Sequence, residues 1–171
     1  MAYWALAGML LSAFSEKSSA DKQAAALKAQ GEWENERFNF NAALADLAAI
    51  DSVERGNEAA ATMSRGGRKF MGKQTVSYAN QGVDISSGSA RKVRTSTAEL
   101  IGKDVDRIKT NALREAFGHR MSANDLRERG RMALKGAYVN ADATTSAGNY
   151  RAASYLLQGA QSAYGNSGGK K

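Results

Sequence analysis

Proline and cysteine are both missing from the 171 residues of this chain, and histidine occurs once. Without cysteine there is no disulfide, no thiolate nucleophile and no cysteine-ligated metal. With a single histidine, His119, no second ligand type clusters to make a metal site. Without proline, nothing in the chain removes a backbone donor and breaks a helix by clash. Large apolar residues are also scarce. Leu, Ile, Val and Phe together supply 27 residues, about 16% of the chain and below the roughly 20% at which charged chains stop building a core. Alanine alone supplies 32. A thick private core is therefore excluded. Long helices that bury narrow alanine-rich stripes are expected: an all-α, elongated long-helix hairpin or coiled-coil-like protomer, oligomeric in its working state.

What is present is charge, unevenly placed. The net charge is +7. Residues 21–60 carry 4 basic and 8 acidic side chains, residues 61–82 carry 4 basic and none acidic, and residues 83–140 carry 12 basic and 7 acidic. An acidic arm and a basic arm can attract one another, within or between chains. Basic surface also suits nucleic acid or an acidic protein, although most such charges are solvated helix faces.

Residues 1–20 form an apolar N-terminal segment. Its core, AYWALAGMLLSAF, has no charge. Thirteen helical residues reach about 20 Å, short of a hydrocarbon core of roughly 30 Å, so one copy does not span it. No basic stretch precedes it and no cleavage pattern follows, so it does not read as a signal peptide. Trp4, Leu6, Leu10, Leu11 and Phe14 are the expected membrane or interface residues. After a small polar joint at residues 15–20, residues 21–140 are expected to form long helical arms joined by a Gly/Ser turn near 80–89. A cap at Ser19 or Asp21 starts the first arm, and Gly66-Gly67 is its expected weak point. A second joint at residues 136–140 precedes a C-terminal helix and flexible tail over 141–171. Phe40, Leu44 and Leu47 on the first arm, and Ile101, Val105 and Ile108 on the second, recur at threes and fours and make the expected core or oligomer seam.

No constellation points to catalysis, so the chain is not expected to be an enzyme or to hold a cofactor or metal. GRKFMGKQ over residues 67–74 is one residue from a phosphate-binding loop. It has Gln74 where a hydroxyl is needed, and no strand precedes it. Glu99, Asp104 and Glu115 are more simply solvated helix carboxylates than an acid/base pair. The basic stretch 120–131 is either a solvated face or a contact with DNA or protein.

At GVDISSGSA followed by IKTNALREAFGHR the chain resembles internal virion (ejection) proteins of short-tailed bacteriophages. The order is similar throughout: an apolar small-residue N-terminus; the alanine-rich charged helix KQAAALKAQGEWENERFNFNAALADLAAIDSVERG; the turn; then N-A-x-R-E-A-x-G at residues 111–118 and a small-residue helix. About forty residues carry the motif. The resemblance implies a structural protein held inside the virion and ejected with the genome into the host cell envelope. There it would help form a conduit for DNA delivery. Its implied partners are further copies, other ejection, portal or tail proteins, and the host outer membrane. The alternative is a basic helical scaffold that organises DNA inside the capsid, with non-specific DNA contact.

Overall fold

A computed structural model describes residues 2–165, with side chains described for 8–161. Two helices account for almost all of it: α1 (Ala2–Asn80) and α2 (Gly88–Gly165), packed antiparallel as a hairpin. No strand occurs among the described residues. Both helices run without interruption because no proline removes an i to i−4 hydrogen bond and alanine supplies helix propensity.

That continuity corrects three expectations. The joint at residues 15–20, the break at Gly66-Gly67 and the joint at 136–140 are all helical, so 141–165 continues α2 and is not a separate element. Nor does α1 begin at a Ser19 or Asp21 cap; it starts at Ala2. The physical reason is packing. Ala20 lies against Gly148, and Gly67 lies beneath the side chain of Ile101. These small residues are contact points, and their helix-weakening cost is offset there. Residues 67–74 are likewise mid-helix, which removes the loop a phosphate cradle requires.

The turn was expected near 80–89 and is found there. Gly82 has φ +69°, a conformation L side chains resist, and it ends α1. The Val83 amide donates to the Tyr78 carbonyl at 3.0 Å and the Gly82 amide to that of Ala79 at 3.1 Å, which satisfies carbonyls left over at the helix end. Asp84 then knots the turn. Its carboxylate accepts from the Ser86 amide at 2.9 Å, the Ser86 hydroxyl at 2.6 Å and the Ser87 hydroxyl at 2.7 Å. Those three donors favour the charged form and hold the Asp84 pKa down at about 2.

The chain packs as two units. One joins the described residues up to Phe40 with those from Leu126 onward; the other is Asn41–Asp125. In the first, the buried apolar residues include Ala13, Ala20, Ala24 and Ala141. A Cβ built on Gly31 would overlap the Cβ of Ala137, and one on Gly148 that of Ala20. In the second, Ala42, Ala49, Ala60, Ala112, Ala116 and Ala123 are buried, and a Cβ on Gly56 would overlap that of Ala112. Each of these glycine–alanine pairs, and Gly67–Ile101 with them, is equidistant in sequence from Asp84. One register therefore holds in each unit, and it is set by the turn. Among the described residues Ser52 is the largest fully buried side chain; its hydroxyl donates to the Ala48 carbonyl at 2.9 Å and so carries no unsatisfied donor.

Candidate interaction surfaces

The core of each unit is made of alanine, glycine and serine, so large apolar side chains lie elsewhere. Phe40 in the first unit is 64% exposed, and Leu44 and Leu47 in the second are 49% and 61% exposed. Helical geometry puts these three on the face of α1 turned away from the Ala42–Ala49 line. They are not part of the intrachain core. Ile101, Val105 and Ile108 differ: they are half-buried, and Ile101 covers Gly67. The six residues that share a period in the sequence thus divide between an outer face of α1 and the flank of the contact line on α2.

Within the second unit more apolar surface is exposed. Ile50 and Phe117 fall along one edge of the helix pair, while Leu47 and Met121 point outward from their own helices, and all four are at least half exposed. The opposite edge is closed by charge. Arg55 pairs with Glu115 of α2 at 3.1 Å and with Asp51 of its own helix, and His119 Nε2 lies 3.9 Å from the same Glu115 oxygen. Glu115 is thereby a strut between helices, and Asp104 is paired with Arg107 at 3.7 Å.

The first unit has its own clasp. Lys28 bridges to Asp142 at 3.4 Å and stands 5.2 Å over the Tyr138 ring, while the Tyr138 hydroxyl donates to Glu32 at 2.9 Å. That hydrogen bond, with the negative charge of Glu32, raises the Tyr138 pKa. At the N-terminal end of α1, Leu10, Leu11 and Phe14 are 58%, 72% and 75% exposed, with only Ala13 between them buried. The side chains of Trp4 and Leu6 lie outside the described residues.

No protein family, curated protein or solved structure matches this chain. The surfaces themselves therefore bear the functional reading. Among the described residues no helix is long and apolar enough to cross a membrane, and no group of three His, Cys, Asp or Glu could hold a metal ion.

Two features escaped the reading by apolar period. One is the small-residue contact line; the recurrence of Ala42, Ala49 and Gly56, and of Ala116, Ala123 and Gly130, at intervals of seven is the signal that marks it. The other is the concentration of cations near the turn, which emerges only when both arms are brought alongside.

Proposed function

We propose that this chain is a non-enzymatic structural protein of a bacteriophage particle, ejected with the genome to help form a conduit across the host envelope. The observation that carries the reading is the division of apolar residues. The hairpin closes on alanine and glycine, while most of its described leucines and phenylalanines remain exposed, available to further copies and to an apolar phase. Exposed large apolar side chains that gather into a patch mark protein or membrane contact. Exposed Leu10, Leu11 and Phe14 at the helix end support a membrane-directed role for that segment. Because a single copy is too short and too polar to span, insertion requires several copies side by side.

The test is flotation with liposomes of outer-membrane lipid, paired with light scattering with and without detergent. The full chain is expected to float and to form a defined oligomer, whereas a chain lacking residues 2–14 stays helical and no longer floats. A full chain that ignores liposomes while the truncated one fails to enter particles would make the segment an assembly contact and end the membrane reading.

A further inference from the structure

We infer that the turn end of the hairpin is a binding surface for the phosphate backbone of duplex DNA. The inference goes beyond the proposed role and stands without it, because it rests on where charge lies in the second unit. Residues 61–98 surround the turn and contain seven of the chain's basic residues. Arg65, Arg68, Lys69 and Lys73 come from α1; Arg91, Lys92 and Arg94 come from α2. The one acidic residue in this span is Asp84, and its carboxylate is taken up by Ser86 and Ser87. The facing stretch of α2 out to residue 107, which matches residue 61 in the register, adds Lys103 and Arg107 but also Glu99, Asp104 and Asp106, so this end of the hairpin carries a net +5 of the chain's +7.

Elsewhere several cations are paired with acids. Lys28, Arg55, Arg107 and Arg131 pair with Asp142, Glu115, Asp104 and Glu128. Among the described residues none of the seven at the turn end makes an ion pair, although Glu99 matches Lys69 in the register about Asp84. Arg65 reaches only the Thr62 hydroxyl, at 3.2 Å. Arg94 has a buried Nε without a hydrogen-bond partner, and so does the Oε1 of Gln74, the residue matching Arg94 in the register about Asp84. Cations gathered at one end with few carboxylates among them repel one another. A polyanion relieves that repulsion and gives up its condensed counterions in doing so.

The arrangement favours duplex DNA over an anionic membrane. A helix that lies on a membrane needs one apolar face flanked by cations. Here Arg65, Arg68, Lys69 and Lys73 recur at threes and fours and form one cationic stripe on α1, but no apolar face accompanies it, since the exposed Phe70 and Val76 are six residues apart and do not share a face. It also favours duplex over single strands. Phe70 and Tyr78 are the sole aromatic residues in the span, too few for a stacking platform. An open groove along the first turns of α2, lined by Arg91, Lys92, Thr95 and Ser96, adds hydroxyl donors of the kind that accompany phosphate contacts.

The experiment is fluorescence anisotropy of a random-sequence duplex of about 30 base pairs across a salt series, using the full chain. A turn-end variant carries Lys69→Ser, Lys73→Ser, Arg91→Ser and Lys92→Ser. A control variant loses the same charge through Lys109→Ser, Arg114→Ser, Arg120→Ser and Lys135→Ser. Circular dichroism first establishes that both remain helical. The full chain is expected to bind with a dissociation constant of roughly 10⁻⁴–10⁻⁶ M at physiological salt. The turn-end variant should bind at least about tenfold more weakly, with a salt slope shallower by about 3 to 4, given a slope of roughly 0.9 per phosphate. The control should stay within about threefold of the full chain, since its cations lie outside the contact. Equal losses in the two variants would overturn the inference. So would binding through the turn-end cations to phosphatidylglycerol vesicles with none to duplex. Duplex binding without liposome insertion would leave the inference standing and remove the conduit role; the opposite result would remove the inference alone.

Discussion

At residue scale the chain turns on where a Cβ is absent. An exposed mid-helix glycine costs about 1 kcal/mol relative to alanine, so filling one should help. Gly102 and Gly72 have open space around them, and Gly102→Ala or Gly72→Ala is expected to stabilise the fold by about 0.5–1 kcal/mol. Gly56 has the opposite surroundings. A Cβ there meets the Cβ of Ala112, with the Ala112 Cα 3.7 Å away and the Ile108 carbonyl at 3.9 Å. Backbone cannot yield as a flexible side chain does, so Gly56→Ala should destabilise by about 1–3 kcal/mol. Urea unfolding followed by circular dichroism gives the sign of both changes. If both stabilised, the close approach would not exist. Asp84 supplies a second residue-scale prediction. Its pKa is depressed from 3.8 to about 2, so its contribution to the turn is complete above the ordinary value and is lost as pH falls through about 2. Amide exchange at Ser86, corrected for intrinsic rates, should therefore show protection that declines between those two values, and Asp84→Asn should remove the decline.

At the scale of elements, what needs explaining is how such long helices hold together on so thin a seam. Each buried alanine contributes on the order of 0.8 kcal/mol of apolar transfer, far less than a leucine. Close approach adds dispersion contacts between the backbones, each small but repeated along the seam. Polar clasps at the edges then keep the register. The Arg55–Glu115 pair is more than half exposed at both ends, so solvent screening limits what it adds. A double-mutant cycle of Arg55→Ala and Glu115→Ala is expected to give a coupling of about 0.2–1 kcal/mol that shrinks as salt is raised. A coupling that salt does not change would mean that the pair acts by packing. Tyr138 works with the opposite sign of charge linkage. Its pKa is raised by Glu32, so whatever its hydrogen bond contributes is present below the ordinary value of 10.0 and is lost as pH climbs through the higher folded value.

At the scale of the whole molecule, the assembly into several copies proposed above would cover exposed apolar residues of the second unit, among them Leu47, Phe117 and Met121. Replacing all three with serine is expected to leave helical content unchanged, because none touches the alanine seam, while reducing the oligomer to smaller species in light scattering. An unchanged oligomer would move the interface to another face. Loss of helicity would instead show that copies and hairpin fold together, as in obligate assemblies where stability cannot be separated from protomer concentration.

Composition alone determined that the chain is helical and where it turns. No proline, abundant alanine and too few large apolar residues left long helices as the packing solution, and Gly82, Asp84 and the serines after it are turn chemistry wherever they occur. The arms' continuity was less legible, because Gly66-Gly67 and the stretch 136–140 have the composition of breaks. Only the partner helix shows that Gly67 is a socket for Ile101. The identity of the seam belonged to the tertiary structure as well. Reading by hydrophobicity selects Phe40, Leu44 and Leu47, since large side chains bury the most area. Two helices in a hairpin have a single line of contact, however, and close approach along it selects the smallest residues and turns the largest outward. The charge at the turn end has the same origin. Arg65 to Lys73 and Arg91 to Arg94 are separate, ordinary helix charges in the sequence; an antiparallel register about Asp84 makes them one surface.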